Sequence, residues 1–343
     1  VRLAGRWRVL ALIGLLSGPI AVASRLTPEP EANTVINPNS LYDALLDALY
    51  ATFGNHPGFR VTHAKGVLVS GTFVASAAAG RLSIAPHLQG QPVSVLLRFS
   101  NFSGLPATPD GDPMASPHGL AIRFALPDDQ ATDIVAHSFN GFPVATPEEF
   151  LSFLQGIAAN AATPPNPAPL QTFLAGHSRA KAFLDNPKPA PRSYLSSTYF
   201  GVNALLFKGP DGVLRAGRYR IEPLQIEATL NESQAAQPAD YLQHELAHRL
   251  GRATVTLRLM LQLAQPTDVV SDGSIPWPES NPKVELGQLR LDRLIPFEEQ
   301  IATQQRLDFN PGRLPLGITP SSDPMVGARE GIYQRALIRR QQH

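Results

Sequence analysis

Arg329 and Tyr333 stand four residues apart near the C-terminal end of the chain. On a helix that spacing puts both side chains on one face, and the pair has a chemical use. A free phenol ionises near about pH 10, so a tyrosine that is to bind a metal as a phenolate at neutral pH needs positive charge beside it. Arg329 supplies that charge, and Leu337 and Arg340 continue the same stripe. By themselves the two residues read equally well as an arginine packed on an aromatic ring. A second candidate is His63, in the run Arg60-Val61-Thr62-His63-Ala64-Lys65-Gly66 just ahead of a strand-like segment. A lone histidine in that position is most often structural. The third is His244-Glu245-Leu246-Ala247-His248, a complete H-E-x-x-H. On a helix its two histidines share a face and can bind zinc, with Glu245 as general base. Gly251 extends the motif toward a longer form, but Thr254 occupies the place of that form's third histidine. Glu279 and Glu285 are the remaining distant ligands, one in a proline-rich loop and one in a strand. The plain alternative is a polar helix face ahead of the strand at Thr254.

The residues around the first two candidates favour joining them. Phe297-Glu298-Glu299-Gln300 is followed by Phe309-x-Pro311, then Leu316-Gly317-Ile318-x-Pro320-Ser321-x-Asp323-x-Met325 and Arg329-x-x-x-Tyr333. Upstream come Leu97-Arg98-Phe99-Ser100, Pro117-His118-Gly119-Leu120-Ala121-Ile122-Arg123-Phe124, Asp133-Ile134-Val135 and Phe142-x-Val144-x-x-Pro147-x-x-Phe150. In order and spacing this set resembles the haem catalase family over residues 55–340, and its brevity is similar to the minimal, catalase-related peroxidase branch.

The resemblance implies a cofactor, haem b, and roles for named residues. Tyr333 would be the axial ligand of the haem iron, with Arg329 compensating its charge. His63 would stand over the opposite face, its ring hydrogen-bonded by Ser100. Arg60, Arg98 and Arg340 match family arginines that meet the haem, whose propionates suit guanidinium partners. Phe150 would pack on the porphyrin. The family places an asparagine beside the distal histidine, and ungapped alignment from Asp133 puts His137 there, with Asn140 three residues on. Either Asn140 enters the pocket, or His137 takes the role, or the distal amide is missing. Asn140 is the favoured choice, because a neutral amide donates to peroxide without competing for protons.

The implied function is a haem-dependent peroxidase that reduces hydrogen peroxide or an organic hydroperoxide at the expense of an unidentified organic electron donor, with weak catalase activity. Other uses of the same fold are a fatty-acid hydroperoxide isomerase, which needs no donor, and a non-catalytic haem carrier. A zinc metallopeptidase acting through His244, Glu245 and His248 is the remote alternative. The segments that longer catalases add are absent from this sequence, which implies a shorter channel to the haem.

These side chains need a scaffold, and the period of the sequence supplies one. Strand-like runs occupy 67–73, 93–99, 120–126 and 133–137, and a second set occupies 204–207, 217–222, 254–263 and 283–291, many alternating apolar and polar residues. Leu41, Leu45 and Leu49 mark an amphipathic helix over Asn39 to Phe53. Thr146-Pro147-Glu148-Glu149 has a capping-box layout with proline at the first helical position, and Leu170 to Leu184 reads as a further helix. Eight strands divided by helices predict an α+β fold, an eight-stranded antiparallel β-barrel with surrounding helices, and the resemblance implies the same.

Composition bounds the rest. A net charge of +1, with no basic run, argues against a nucleic-acid binder. The absence of cysteine removes disulfides, thiolate metal sites and cysteine nucleophiles. Arg2, Arg6 and Arg8 precede the apolar run Val9 to Leu16, and Ala21-Val22-Ala23 offers a small-x-small cleavage site. Residues 1–23 therefore read as a signal peptide for secretion or the periplasm, or as an uncleaved anchor, although the run is short of the roughly 20 residues that spanning requires. Residues 24–39 read as a linker or arm, and 40–343 as the haem domain. Oligomeric state is not legible.

Overall fold

The computed structural model describes residues 38–342 apart from 226 and 231–236. The segment expected as a signal peptide, 1–23, and nearly all of the expected arm, 24–39, lie outside the described residues. The described residues group as one compact unit. Its elements run α1 (Pro38–Phe53), β1 (Gly66–Ala75), α2 (Ala79–Leu82), β2 (Val93–Ser100), β3 (Gly119–Ala125), β4 (Ala131–His137), α3 (Pro147–Ala161), α4 (Ala168–Gly176), α5 (Ser178–Asp185), β5 (Tyr199–Phe200), β6 (Leu205–Lys208), β7 (Leu214–Pro223), α6 (Tyr241–Leu250), β8 (Val255–Leu263), β9 (Lys283–Leu294), α7 (Phe297–Arg306), β10 (Ile318–Pro320) and α8 (Pro324–Gln341).

The pairing is antiparallel throughout and closes on itself. From β1 it runs through β2, β3 and β4 to β5, then β7, β8 and β9, which returns to β1. The seam is made by β5, a strand of two residues that joins β4 through the single pair His137↔Phe200 and β7 through Tyr199↔Ile221. Two residues show no period, which is why the sequence does not announce β5. The expected strand at 204–207 forms as β6, alongside the other half of β7, and β10 is added outside it.

Alternation assigns each residue a side. In β2, Val95, Leu97 and Phe99 enter the barrel core, as do Leu120, Ile122 and Phe124 of β3 and Ile134 and Ala136 of β4. Burying such side chains, at about 1.5–3 kcal/mol each, is the main favourable term for the barrel. Their neighbours point outward, yet Arg98, Ser100 and Asp133 are buried too, because helices and the loop leading from α7 cover this outer face. A polar residue enters such a layer only with partners or a function.

The covering layer is a second apolar cluster, in which Leu41, Leu45, Leu46 and Phe53 of α1 meet Leu154 of α3 and Ile332 of α8. Arg335 of α8 also donates to Asp43 of α1 at 3.0 Å. α3 starts as its sequence predicts: Glu149 N–H donates to Thr146 Oγ1 at 3.2 Å and Thr146 N–H to Glu149 Oε2 at 3.4 Å. The single helix expected over Leu170 to Leu184 is instead two, α4 and α5, parted at His177. There φ is −126° and ψ 78°, and the imidazole turns back to stack on Phe173 with centroids 3.8 Å apart. Among the described residues no helix is long and apolar enough to cross a membrane.

Candidate active site

One row of cross-strand partners carries half of the site. Gly66 pairs with Ser100, Ser100 with Gly119, Gly119 with His137 and His137 with Phe200. Partners opposite one another in a ladder share a face, so Ser100, Gly119 and His137 all present to the outer side of the barrel. His63, just before β1, leans over this row with its Nδ1 3.0 Å from Ser100 Oγ. Glycine is required at the third place in the row. A Cβ on Gly119 would lie 2.6 Å from Ser100 Oγ and 2.7 Å from His63 Nδ1.

Backbone and charge both specify His63. Its φ is +55°, a region that costs a non-glycine residue about 1–3 kcal/mol and that surrounding contacts must enforce. His63 N–H donates to Phe102 O at 2.9 Å, Ala64 N–H to Ser103 O at 3.0 Å, and Arg98 Nη2 to His63 O at 2.9 Å. Lys65 pins the next turn through Asp110 at 2.7 Å and Asp240 at 2.6 Å. Although His63 is only partly buried, loss of water, followed by the nearby Arg98 and His137, pushes its imidazole down to about 3. Burial, then Arg329, pushes His137 down to about 4. Both rings are therefore neutral near pH 7, and His137 Nδ1 is buried without a hydrogen-bond partner.

The second half of the site comes from α8. Arg329 and Tyr333 do share a face: Arg329 Nη2 donates to the Tyr333 hydroxyl oxygen at 3.3 Å. Its other terminal nitrogen, Nη1, donates to Asn203 Oδ1 at 2.6 Å, and Asn203 Nδ2 donates to Asp323 Oδ2 at 2.8 Å. Asp323 also caps α8, accepting from Met325 N–H at 2.9 Å. The carboxylate takes the amide's donor end, which leaves the amide oxygen for Arg329 and aims the guanidinium at Tyr333. Arg329 and Asn203 also line a cavity of about 30 Å³, together with Val135 of β4, Pro311 and Val326.

Three more guanidiniums gather beside it. Arg60 Nη2 and Arg340 Nη2 both donate to Leu307 O, at 2.6 and 2.9 Å, and Arg98 Nε donates to Gln304 Oε1 at 2.7 Å. Among the described residues these partners are carbonyls and an amide, none a carboxylate. Burial first, then Arg98 and Arg340, lowers Arg60 well below the ordinary arginine range; burial, then Arg340, lowers Arg98 to about 9. Guanidinium does not lose its proton in proteins, so we read these shifts as a shortage of negative charge.

An anion with two acidic groups would answer that shortage. The clustered cations, the orphaned imidazole nitrogen, the glycine that leaves room beside His63 and a phenol flanked by arginine fit a haem with its propionates toward Arg60, Arg98 and Arg340. Phe150 is half-buried at the helical cluster, its ring 5.1 Å from that of Phe142.

Asn140, the favoured distal amide, makes its contact elsewhere. Its Nδ2 points to Glu279 Oε1 at 3.4 Å, and it forms no hydrogen bond with His63 or Ser100. The residue lies past the end of β4, so the ladder does not direct it, whereas it holds His137 beside Gly119. The zinc reading also fails on its partners. His244 and His248 are exposed on α6, Glu245 Oε1 accepts from Arg249 Nε at 2.6 Å, and Glu279 is held by Arg220 at 2.8 Å. Among the described residues no group of three metal-binding side chains forms. Phe102, Asn203 and Gln304 are site residues that the sequence reading missed, since each depends on contacts distant in sequence.

The chain is similar to known proteins over most of its length. The family model described as Catalase matches residues 41–342. A catalase-related peroxidase of Mycolicibacterium paratuberculosis is 36% identical over 299 residues, covering 86% of this chain and 93% of that protein. One of Synechococcus elongatus is 31% identical over 340 residues, covering 98% and 96%. Among solved structures, a fungal catalase superposes with a TM-score of 0.73 at 21% identity, over 95% of this chain and 66% of that one. A bacterial catalase gives 0.71 at 20% identity, over 92% and 63%.

Proposed function

The chain belongs to the catalase family, and from that premise we propose that it is a haem peroxidase acting on hydrogen peroxide, with an organic molecule as electron donor. The observation that carries this reading is the Arg329–Tyr333 pair, with Arg329 itself aimed by Asn203. A cation that cannot deprotonate, held against a phenol, lowers the cost of the phenolate. Tyr333 is the residue that would hold the iron, and Arg60, Arg98 and Arg340 those that would hold the propionates; haem b is the form proposed. Bound haem would supply the Lewis-acid and redox chemistry.

The protein's own part is to move one proton. His63, neutral and with Nδ1 engaged by Ser100, takes the proton of one peroxide oxygen and returns it to the other, so that the departing oxygen leaves as water. Ser100 fixes the tautomer and orientation of that ring. His137, whose Nδ1 is buried without a hydrogen-bond partner, takes the place of the family's distal amide. Export from the cytoplasm, guided by residues 1–23, is proposed on the charge and apolar pattern of that segment.

The test is the optical spectrum of the haem-reconstituted protein. A high-spin ferric spectrum of phenolate type is expected for the parent, and Tyr333→Phe is expected to abolish it or change its kind. An unchanged spectrum in that variant would remove Tyr333 as the axial ligand and the reading with it.

A further inference from the structure

The segment between β2 and β3 forms one wall of a pocket of about 570 Å³, and His56, just past the end of α1, forms the other. That volume suits a small organic molecule, for which pockets run from about 300 to 1,000 Å³. Leu105, Pro106, Pro109 and Met114 make the lining mainly apolar, and Asp112 adds a carboxylate. Leu105 and Met114 remain 39% and 48% exposed, a cost that an apolar occupant would remove.

Both walls are fixed. Leu105 N–H donates to Ser103 Oγ at 3.0 Å, Thr108 Oγ1 to Leu105 O at 2.9 Å and Met114 N–H to Asp112 Oδ1 at 2.7 Å. Lys65 Nζ ties down Thr108 O at 3.3 Å. Opposite them, His56 Nε2 lies 3.0 Å from Phe53 O. A carbonyl only accepts, so Nε2 carries the proton and Nδ1 is left as the acceptor nitrogen of the ring.

The pocket lies near His63 without opening on it. Its lining includes none of His63, Ser100 and His137. Gly104, next to Leu105, abuts α1 so closely that a Cβ there would be 2.5 Å from the Phe53 Cβ. Phe53 meets Phe102 edge to face with centroids 6.2 Å apart, and Phe102 meets His63 in the same manner at 5.6 Å. An occupant is thus parted from the proton carrier by two aromatic rings, a separation that an electron crosses and a molecule does not.

We propose that this pocket binds the organic electron donor, and that the donor is a neutral phenol with its ring on the apolar lining and its hydroxyl toward His56 Nδ1. The inference rests on the proposed peroxidase reading and names the donor class for it. As the phenol O–H bond breaks, the electron passes inward and the proton goes to Nδ1. Two phenols supply the two electrons and two protons that convert one hydrogen peroxide to two waters, and they leave as two phenoxyl radicals. Donor and peroxide therefore occupy separate sites and do not compete.

Haem-reconstituted parent, Leu105→Arg, Met114→Arg and His56→Leu proteins would be titrated with guaiacol by calorimetry, with and without saturating cyanide as a ligand of the distal side. Leu105 and Met114 are exposed enough to accept arginine, and two positions guard against one variant failing to fold. Guaiacol is expected to bind the parent equally well with and without cyanide, and at least about ten-fold more weakly in both arginine variants. His56→Leu should slow guaiacol oxidation at saturating guaiacol by about ten-fold or more, since it removes the proton acceptor. Displacement of guaiacol by cyanide, absence of binding to the parent, or parental affinity in both arginine variants overturns the site. Parental oxidation by His56→Leu overturns the phenol assignment. If guaiacol binds as expected but no protein turns over hydrogen peroxide, the pocket stands and the peroxidase reading falls.

Discussion

His63 and His137 are held neutral for the same reason: burial withholds the water that a charged imidazole needs, and arginines nearby penalise a further cation. That state suits a group that must first accept a proton. Removing the ring should therefore separate binding from chemistry. His63→Ala is expected to retain haem and to lose roughly 10²–10⁴-fold in peroxide cleavage, the usual worth of a positioned acid–base group. Stopped-flow spectra of the reconstituted variant check this, and cleavage at the parental rate would refute the role. The companion pair decides the distal partner. His137→Ala should slow the same step and Asn140→Ala should leave it alone, because only His137 lies on the row with Ser100 and Gly119. The reverse result would mean that the loop after β4 rearranges when haem binds.

At the scale of elements, the site depends on two strands lying close enough for His63 to reach Ser100 over a bare backbone. Gly119→Ala places a methyl where the Nδ1–Oγ contact now runs. We expect the barrel to fold, since the addition faces outward, while His63 is displaced and peroxide cleavage falls by about ten-fold or more. Unaltered stopped-flow rates would show that the row tolerates a side chain there. α3 offers a control remote from that contact. Thr146→Ala deletes the side-chain half of its capping box and should lower stability by about 1 kcal/mol, read as a shift in the urea midpoint with m unchanged. Haem binding should persist, because no residue assigned to the haem belongs to the cap.

Over the whole molecule, four histidines share an acid liability. His63 is pushed down to about 3, and His87, His118 and His137 to about 4, in each case mainly by burial. Unfolded, each would titrate near 6.5. Between those values the unfolded chain binds protons that the folded chain refuses, so stability rises with pH across that window and is lost as pH falls from about 6.5 toward 4. Thermal midpoints measured from pH 7.5 to 4.5 should drop steadily below pH 6.5. His87 is the cleanest probe, for it sits at the barrel core, its ring 5.0 Å from Phe124, with both nitrogens lacking hydrogen-bond partners. His87→Leu should flatten the acid slope without altering haem binding; an identical slope would assign the loss to other groups.

Residue type and spacing alone determined the local features of this protein. Arg329 and Tyr333 meet because four residues make about one helical turn, and the capping box of α3 forms because its atoms are three residues apart. The eight strand runs were legible because alternation is a property of consecutive residues, whereas β5, at two residues, had no period to show. Only the tertiary structure decided what depends on register between distant segments. His137 joins Ser100 and Gly119 because the ladder pairs 100 with 119 and 119 with 137, while Asn140, chemically the more attractive donor, lies beyond the strand and turns to Glu279. Phe102 beside His63, Asn203 behind Arg329 and Gln304 under Arg98 are likewise products of closure. A sequence displays neighbours along the chain; folding the barrel and laying α7 and α8 against its outer face creates neighbours in space, and the site is made mostly of the second kind.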